Sequence, residues 1–418
     1  MNSPKQAPNL LDRLLGHWLL AVAMILVAAA LTIPQIDKYP LSVDSLHSYA
    51  MALGLTESIY TPINVLENLY ADAPDQAPLY YLSLHIWGYV VGHSLATARL
   101  PALFAGLLSL AMVYRLARDF ISPVAGSFAA FVLLCNAFYA FYYAHVRYYT
   151  FVILLAAIII WLYLRIVHQQ TPANRRDWLT LTAACYALIC THAFGFLLYL
   201  VLALYHLLAV RKDLRWVLVV GVAAASILLA APQLYVMLTA GAESAREYHG
   251  PRSSNVTDVL ATWLTVISNG SPPLLGILLV GVAVGWRRKL LRGNPILLLF
   301  PLLVVSIGLI STATGIVSIG QMRYLLVGTP IVVCFIAASL YALMRLRRWL
   351  GLLALLWLVA GIAFMQATDW EPLIRGRRWA YNHPPWHLIS RWMQQSDEKL
   401  PVMALDVAHN LLSRYTFR

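Results

Sequence analysis

The feature that most constrains this chain is a series of long apolar runs, which recur from Leu19 to Ala363 and are separated by short basic stretches. Of the 418 residues, 61% are hydrophobic and only 11% are charged, whereas a soluble domain carries roughly a quarter charged residues. A run of about 20 apolar residues is long enough to cross a bilayer as a helix. The sequence therefore predicts an all-α polytopic membrane protein and excludes a disordered chain or a secreted disulfide scaffold.

The apolar runs and the charged residues between them predict about eleven transmembrane helices. By residue number, these spans are 17–36, 99–117, 122–141, 150–167, 178–191, 194–210, 215–238, 271–286, 295–313, 325–344 and 349–366. The segment 78–93 is apolar but short, so it is either a twelfth span or a helix that lies at the membrane interface.

The distribution of basic residues decides between these alternatives. A net charge of +12 would suit a nucleic-acid partner, but in a membrane protein Lys and Arg mark the cytoplasmic loops. If 78–93 is interfacial, the basic clusters all fall on one side; they are 5–13, 115–118, 165–176, 211–215, 287–292 and 345–348. We therefore expect a multi-pass plasma-membrane protein with a cytoplasmic N-terminus, the lipid bilayer as its surroundings and no nucleic-acid partner.

Two regions are expected on the extracytoplasmic side. The first is a long outer loop, 37–98, with interfacial helices, which belongs to a transmembrane domain of residues 1–368. The second is a short tail, 369–418, in which the pattern predicts an α/β segment with a helix at about 387–395 and a strand at 401–405. An outer loop of this length is expected to carry function. Asn255 and Asn269 lie in Asn-X-Ser/Thr sequons that are also predicted to face outward.

The outer loop opens with a segment of helical spacing that places Asp44, His47 and Met51 near one face. A carboxylate at a membrane interface, beside apolar walls, can act as a general base. The alternative is that Asp44 is an N-cap residue that opens the helix. The residue pattern alone leaves both interpretations open.

Two arginines lie where outer turns meet the membrane. Arg147 lies among aromatic residues in the turn Tyr142–Tyr149, and Arg323 opens a late span from the outer side. Each either binds a phosphate group or anchors the chain at the interface. The tyrosines around Arg147 are likewise either an interfacial aromatic belt or a platform for a sugar.

Histidines on the same side suggest a candidate divalent-metal site. Asp44, His145 and His192 provide suitable ligand types, although no ligand spacing supports the site. The alternative for His192 is a hydrogen-bonded interface residue. Composition and spacing thus predict an outer-face site with acids, histidines and two arginines, but they do not identify its reaction.

Six stretches of this sequence resemble motifs of the GT-C superfamily of polyprenyl-phosphate-sugar-dependent glycosyltransferases, which includes protein O-mannosyltransferases and lipid A aminoarabinose transferases. They are LSVDSLHSYAMALG, APLYYLSLHIWGYVVG, ARLPALFAGLLSLAMVYRLARDF, YYAHVRYYTFVILLA, CTHAFGFLLYL and QMRYLLVGTP. The resemblance covers about 15–210 well and 315–405 more loosely. Ser45 and His145 stand where the family usually has Glu.

The resemblance implies an integral membrane glycosyltransferase, a hexosyl- or pentosyltransferase with a polyprenyl-phosphate-linked sugar as donor. The acceptor would be a glycolipid, a polysaccharide or a protein, and the transfer would invert the anomeric centre. Asp44 would be the general base, and Arg147 and Arg323 would bind the donor phosphate. The residues expected to position the acceptor or substrate are Asp75, His47, His145, Tyr149, His192 and Tyr324. The alternatives are a transporter or flippase for lipid-linked sugars and a non-catalytic subunit of the same fold.

Overall fold

The computed structural model describes residues 10–36, 43–54, 60–168, 173–243, 255–314 and 319–367. The helices are α1 (Leu10–Leu15), α2 (Trp18–Thr32), α3 (Val43–Leu53), α4 (Pro62–Asp72), α5 (Pro78–Val91), α6 (Leu95–Phe120), α7 (Pro123–Leu134), α8 (Ala137–Phe141), α9 (Tyr149–His168), α10 (Arg175–Ile189), α11 (Gly195–Ala209), α12 (Leu214–Leu229), α13 (Ala231–Leu238), α14 (Val256–Ile267), α15 (Pro272–Arg287), α16 (Ile296–Thr314), α17 (Thr329–Leu346) and α18 (Arg348–Ala367). Short 3₁₀ segments cover Ile33–Gln35, Tyr142–Ala144 and Ile319–Gly328. The predicted tail helix and strand lie outside these ranges.

The all-α fold class is confirmed, since the regular elements of the described residues are all helices. Among the described residues, four helices are long and apolar enough, by length and composition, to cross a membrane, and the number rises to seven if each of three bent pairs counts as one span. Helices α2, α11 and most of α18 are apolar but shorter. The count of about eleven spans, and the interfacial position of 78–93, therefore stay predictions.

Capping side chains set where several helices begin. Thr61 and Asn64 form a reciprocal capping box at the start of α4, and the hydroxyls of Ser94 and Ser122 accept backbone N–H bonds at the starts of α6 and α7. Such side chains satisfy N–H groups that have no partner within the helix. The residues at which these helices begin are therefore determined by the local sequence.

Three pairs of helices are sharply bent. The bends are 57° between α7 and α8, 63° between α12 and α13, and 79° between α14 and α15. The sequence predicted neither these bends, two of which fall within the predicted spans 122–141 and 215–238, nor α14; whether each bent pair crosses the membrane as one span stays a prediction. Asn136 caps the start of α8, and Pro232 lies in the first turn of α13. Both residues favour a new helix start over continuation of the previous one.

Asn269 holds the sharpest of these bends. Its fully buried amide donates hydrogen bonds to the carbonyls of Cys135, at 2.7 Å, and Leu358, at 3.0 Å. The side-chain carbonyl accepts from the backbone N–H of Ala137, at 3.2 Å. One residue therefore joins the α14–α15 turn to the α7–α8 break and to α18. These contacts bury Asn269 completely, and its expected place on the extracytoplasmic side stays a prediction.

The core of the bundle is formed by α6, α7, α9 and α17, which pack on one another. Beside them, α3, α4 and α5 pack together, and α5 contacts α6. The backbone N–H of Leu79, at the start of α5, donates to the carbonyl of Cys190 in the turn between α10 and α11, at 2.9 Å. The 3₁₀ segment before α17 packs on α9 and α11. These contacts bring four separate segments to one end of the bundle.

Candidate active site

Asp44 enters the site from the first turn of α3. The helix predicted from Asp44 onward is present and begins at Val43, so Asp44 lies inside the helix and is not the residue that precedes it. A carboxylate in this position also interacts favourably with the positive end of the helix dipole. The beginning of α3 thus directs one acid into the end of the bundle where the other segments meet.

The carboxylate of Asp44 lies between two arginines. Its Oδ1 is 3.1 Å from Nη2 of Arg147, and its Oδ2 is 3.4 Å from Nη1 of Arg323. The side chains of the arginines are 8% and 19% exposed, whereas that of Asp44 is 31% exposed. Two guanidinium groups at this distance stabilise the ionised carboxylate. The site therefore combines one accessible anion with two largely buried cations.

A hydrogen-bond chain positions Arg147. Its Nη1 donates to the hydroxyl of Tyr81, at 3.1 Å, and Tyr81 donates to Oε1 of Gln76, at 3.3 Å. Tyr148 donates to the same oxygen, at 3.2 Å. Burial alone would lower the pKa of Arg147, but the charge of Asp44 and the nearby tyrosines outweigh it, so its pKa is raised and it stays charged. Both ends of the guanidinium are thus held, one by an acid and one by a phenol.

Asp75 is joined to the arginine through this chain and makes no direct ion pair with it. Nε2 of Gln76 donates to Oδ2 of Asp75, at 2.8 Å. The backbone carbonyl of Gln76 accepts from Nε2 of Gln233, at 3.3 Å, and Gln233 accepts from the hydroxyl of Tyr70, at 2.8 Å. The segment before α5 is therefore tied to α4 and α13. Asp75 lies behind Gln76, at the edge of the site.

His192, in the turn between α10 and α11, presents a hydrogen-bond donor that has no partner among the described residues. Its Nδ1 accepts from the backbone N–H of Phe194, at 2.9 Å, so Nε2 carries the proton in the neutral ring. That Nε2 is buried and makes no hydrogen bond within the described part of the chain. Burial, together with the charges of Arg147 and Arg323, lowers the pKa of His192 to about 3. The ring is therefore neutral at physiological pH.

The Nε atoms of Arg147 and Arg323 resemble Nε2 of His192, because they are buried and have no hydrogen-bond partner in the described ranges. Buried polar groups in proteins are nearly always paired with protein or water. Three unpaired N–H donors beside one ion-pair cluster suit a ligand with several anionic oxygens. A phosphate group fits this description.

Aromatic rings form one wall of the site. The ring of His192 lies 4.7 Å from that of Tyr148 and 5.3 Å from that of Tyr324, between ring centroids. Tyr324 stacks on Phe194, at 4.8 Å, and Tyr149 contacts Tyr148, at 4.8 Å. Arg147, Arg323, Tyr149, His192 and Tyr324 are thus brought together.

His47 and His145 lie beside this cluster. His47, one helical turn after Asp44, has its pKa lowered to about 4 by burial and then by Arg147, against the opposing effect of Asp44. His145 is buried, and its ring lies 4.2 Å from that of Phe141 on the same turn.

The candidate metal site is not assembled. Among the described residues, no group of three His, Cys, Asp or Glu side chains is placed to hold a metal ion. In the candidate set of Asp44, His145 and His192, the carboxylate oxygens face arginines. Nδ1 of His192 is occupied by the N–H of Phe194. These residues do not fit a metal in this arrangement.

Sequence reasoning missed the residues that connect the site. Gln76, Tyr81 and Tyr148 form the chain behind Arg147, and Gln233 ties it to α13. No spacing links positions so distant in the sequence. Tyr81 and Tyr148 lie in two of the stretches that resemble family motifs, but the resemblance assigned them no role, and Gln76 and Gln233 lie outside those stretches.

No protein-family model and no curated protein sequence matches this chain. Solved structures do match it in fold. ArnT from Cupriavidus metallidurans in the apo state is 14% identical, with a TM-score of 0.61, over 94% of this chain and 84% of ArnT. The structure of the same ArnT bound to undecaprenyl phosphate is 14% identical, with a TM-score of 0.62, over 96% of this chain and 85% of ArnT.

An oligosaccharyltransferase from Archaeoglobus fulgidus, in complex with Zn and sulfate, shares the fold as well. It is 15% identical, with a TM-score of 0.56, over 96% of this chain and 57% of the oligosaccharyltransferase. Both neighbours are glycosyltransferases of the GT-C superfamily. The chain described here therefore shares the polytopic membrane fold of ArnT and this oligosaccharyltransferase, and six of its stretches resemble GT-C motifs.

Proposed function

We propose that this protein transfers a sugar from a polyprenyl-phosphate donor to an acceptor hydroxyl at the extracytoplasmic face of the membrane. The observation that carries the proposal is the carboxylate of Asp44 held between Arg147 and Arg323. Guanidinium groups match phosphate oxygens, and a carboxylate can accept the proton of a hydroxyl nucleophile. The fold shared with ArnT, which has been captured with undecaprenyl phosphate, supports a lipid-phosphate donor.

The two ion pairs of Asp44 suggest how binding and catalysis are coupled. Without a donor, both carboxylate oxygens of Asp44 face the arginines. When the donor phosphate binds to Arg147 and Arg323, it takes over these interactions and leaves the carboxylate free to accept a proton from the acceptor hydroxyl. The carboxylate is therefore activated only when the leaving group is in place.

The transfer is then a single displacement. Asp44 accepts the proton of the acceptor hydroxyl while the acceptor oxygen forms a bond to the anomeric carbon. The bond between that carbon and the phosphate oxygen breaks on the opposite face, and its electron pair leaves with polyprenyl phosphate. Arg147, Arg323 and Nε2–H of His192 stabilise the negative charge that develops there. The product has the inverted anomeric configuration.

The remaining residues have positioning roles in this proposal. The wall of Tyr149, Tyr324 and the ring of His192 suits the apolar face of a sugar, since ligand sites combine aromatic walls with a few polar groups. Asp75, His47 and His145 are assigned to positioning an acceptor or the sugar hydroxyls. Their contribution is expected to be smaller than that of Asp44.

The transporter alternative predicts broken helices with ionisable groups near the middle of the membrane. Bent pairs are present, but the residues at the described breaks are neutral: Asn136, Ala230 and 268–271. The charged residues of the site instead come from turns and helix ends at one end of the bundle. This distribution favours an enzyme.

The experiment that tests the proposal uses full-length protein in lipid vesicles with a panel of radiolabelled polyprenyl-phosphate sugars. Asp44→Asn should lower the release of polyprenyl phosphate by about 10²–10⁴-fold, the usual contribution of general-base catalysis. Asp119→Asn is a matched control, because Asp119 also contacts two arginines, Arg115 and Arg118, at the far end of α6. We expect it to retain activity within a few-fold.

Other outcomes would contradict the proposal in distinct ways. Equal activity of Asp44→Asn and the wild type would remove Asp44 from the mechanism. Movement of an intact donor across the bilayer, without release of polyprenyl phosphate, would identify a transporter. A wild-type protein that turns over no donor in the panel would support the non-catalytic subunit.

A further inference from the structure

A second polar cavity lies at the opposite end of the bundle, where α17 ends and α18 begins. Its volume is about 340 Å³, and its lining includes Asp12, Arg345, Arg347 and Arg348. The helix Met322–Leu346 has 25 residues, so it extends over about 35 Å. Arg323 is at one end of this helix and Arg345 is at the other. The cavity is therefore separate from the candidate active site.

A break in the backbone brings the three arginines into one cavity. Helix α17 ends at Leu346, Arg347 has extended dihedral angles (φ −149°, ψ 124°), and α18 begins at Arg348. In a continuous helix, residues 345 and 348 would share a face, but residue 347 would point away from them, since successive residues are about 100° apart. The break instead lets all three side chains line the same space.

The charges in this cavity are not balanced. Nη1 of Arg345 lies 3.1 Å from Oδ2 of Asp12, and the guanidinium also lies 5.4 Å from the centre of the Tyr341 ring. Of the described residues that line the cavity, Asp12 is the one acid, against three arginines. A confined space with excess positive charge attracts anions, and guanidinium groups favour phosphate oxygens.

An exposed apolar strip continues from the cavity along α18. Trp349, Leu352 and Leu356 are 57%, 53% and 64% exposed, and their spacing places them on one face of the helix, directly after Arg348. A free phosphate ion has no apolar group that could contact this strip. A lipid, by contrast, has an anionic headgroup and acyl chains that match the cavity and the strip in the same order.

The helix that supplies Asp12 has the character of an interfacial element. Leu10 and Leu14, one turn apart on α1, are 74% and 61% exposed, whereas the side chain of Asp12 is 13% exposed. Exposed leucines on one face and an inward carboxylate on the other place α1 over the cavity with its apolar side free to contact lipid. The N-terminal helix thus closes one side of the cavity.

We propose that this cavity binds the phosphate headgroup of an anionic phospholipid. Arg345, Arg347 and Arg348 hold the phosphate, the acyl chains lie along Trp349 and the leucines that follow, and Asp12 is the internal counter-ion that competes for Arg345. The sequence places these arginines on the cytoplasmic side, where basic pockets between helices bind such headgroups. The proposal does not depend on the glycosyltransferase activity.

The test is a titration of the full-length protein, in neutral detergent, with dioctanoyl phosphatidylglycerol, followed by native mass spectrometry. The same titration with dioctanoyl phosphatidylcholine and with inorganic phosphate separates the headgroup charge from the lipid. The double variant Arg345→Gln/Arg348→Gln should weaken phosphatidylglycerol binding about tenfold or more. The reason is that each arginine near a membrane surface contributes about fivefold to the affinity for an anionic lipid. Asp12→Asn should strengthen it about fivefold.

The matched control is Arg287→Gln/Arg288→Gln, which removes two exposed arginines at the end of α15 without touching the cavity. An equal loss in this control would show that the overall charge binds the lipid and would overturn the proposal. Equal binding of phosphatidylcholine, or no effect of the Arg345/Arg348 variant, would overturn it too. Phosphate that binds as tightly as the lipid would identify a site for small anions instead.

Discussion

The imidazole of His192 accepts a hydrogen bond at Nδ1 from the backbone N–H of Phe194, 2.9 Å away. This one contact determines the chemistry of the ring, because it places the proton on Nε2, which is buried and has no partner in the part of the chain that the structure describes. An unsatisfied buried donor costs free energy that a ligand can recover when it supplies an acceptor. The turn between α10 and α11 thus holds a neutral donor ready for an anionic oxygen.

Replacement of His192 by Phe should therefore lower kcat/KM for the lipid-phosphate donor by about 10–100-fold, the value of a hydrogen bond to a charged group. His192→Gln can place an amide N–H near the position of Nε2 and should remain within a few-fold of the wild type. Steady-state kinetics with varied donor concentration measures both. Equal losses for the two variants would show that the ring matters for packing and not as a donor.

Stability should fall as the pH drops from about 6.5 towards 4. The pKa values of His47 and His192 are lowered to about 4 and about 3, chiefly by burial and then by Arg147. Below pH 6.5 the unfolded chain binds protons at these positions and the folded protein does not, so their contribution to stability is complete above that pH and is lost below it. Melting temperatures in detergent across this range measure the effect.

The double variant His47→Gln/His192→Gln serves as the control for the pH experiment. It removes both groups, so its melting temperature should depend less on pH than that of the wild type. A wild-type melting temperature that stays constant from about pH 7 to about pH 4.5 would contradict the prediction. So would identical slopes for the two proteins.

Arg147→Lys should raise the KM for the donor and lower kcat/KM by about 10–100-fold. The guanidinium contacts Asp44 through Nη2 and Tyr81 through Nη1, and a single ammonium group cannot maintain both contacts in the same geometry. Arg165→Lys is the matched control, since Arg165 forms a simple ion pair with Asp177, at 3.6 Å, in another part of the bundle. If both variants keep full activity, the two-sided contact of Arg147 has no role in transfer.

Asn269→Gly should destabilise the fold by about 2–4 kcal/mol, because it leaves the buried carbonyls of Cys135 and Leu358 without their donor. Glycine tolerates the positive φ of 51° at this position, so the effect isolates the lost hydrogen bonds from backbone strain. Asn255→Gly, at an exposed helix start, should cost only a few tenths of a kcal/mol. Denaturant or thermal unfolding in detergent gives both values, and similar losses would refute a special role for Asn269.

The order and type of the helices were predictable from the sequence, whereas the bends were not. In a bilayer each apolar run must satisfy its own backbone hydrogen bonds, so a long run can only form a helix. The break at Asn136 and the turn at Asn269 are polar interruptions inside apolar surroundings, and nothing local shows that the two meet. Their meeting is a property of packed helices, which explains why 122–141 was predicted as one span and α14 was not predicted.

The sequence likewise predicted some features of the candidate site but not others. Position at helix ends, together with motif resemblance, was sufficient to select Asp44, Arg147 and Arg323 from the sequence. Only the tertiary structure shows that one carboxylate contacts both arginines, that Gln76 and Tyr81 hold Arg147 from behind, and that the tautomer of His192 is fixed. The physical reason is the short range of the interactions: hydrogen bonds and ion pairs require contacts of about 3 Å. For segments so far apart in the chain, the packing of the bundle alone determines such distances.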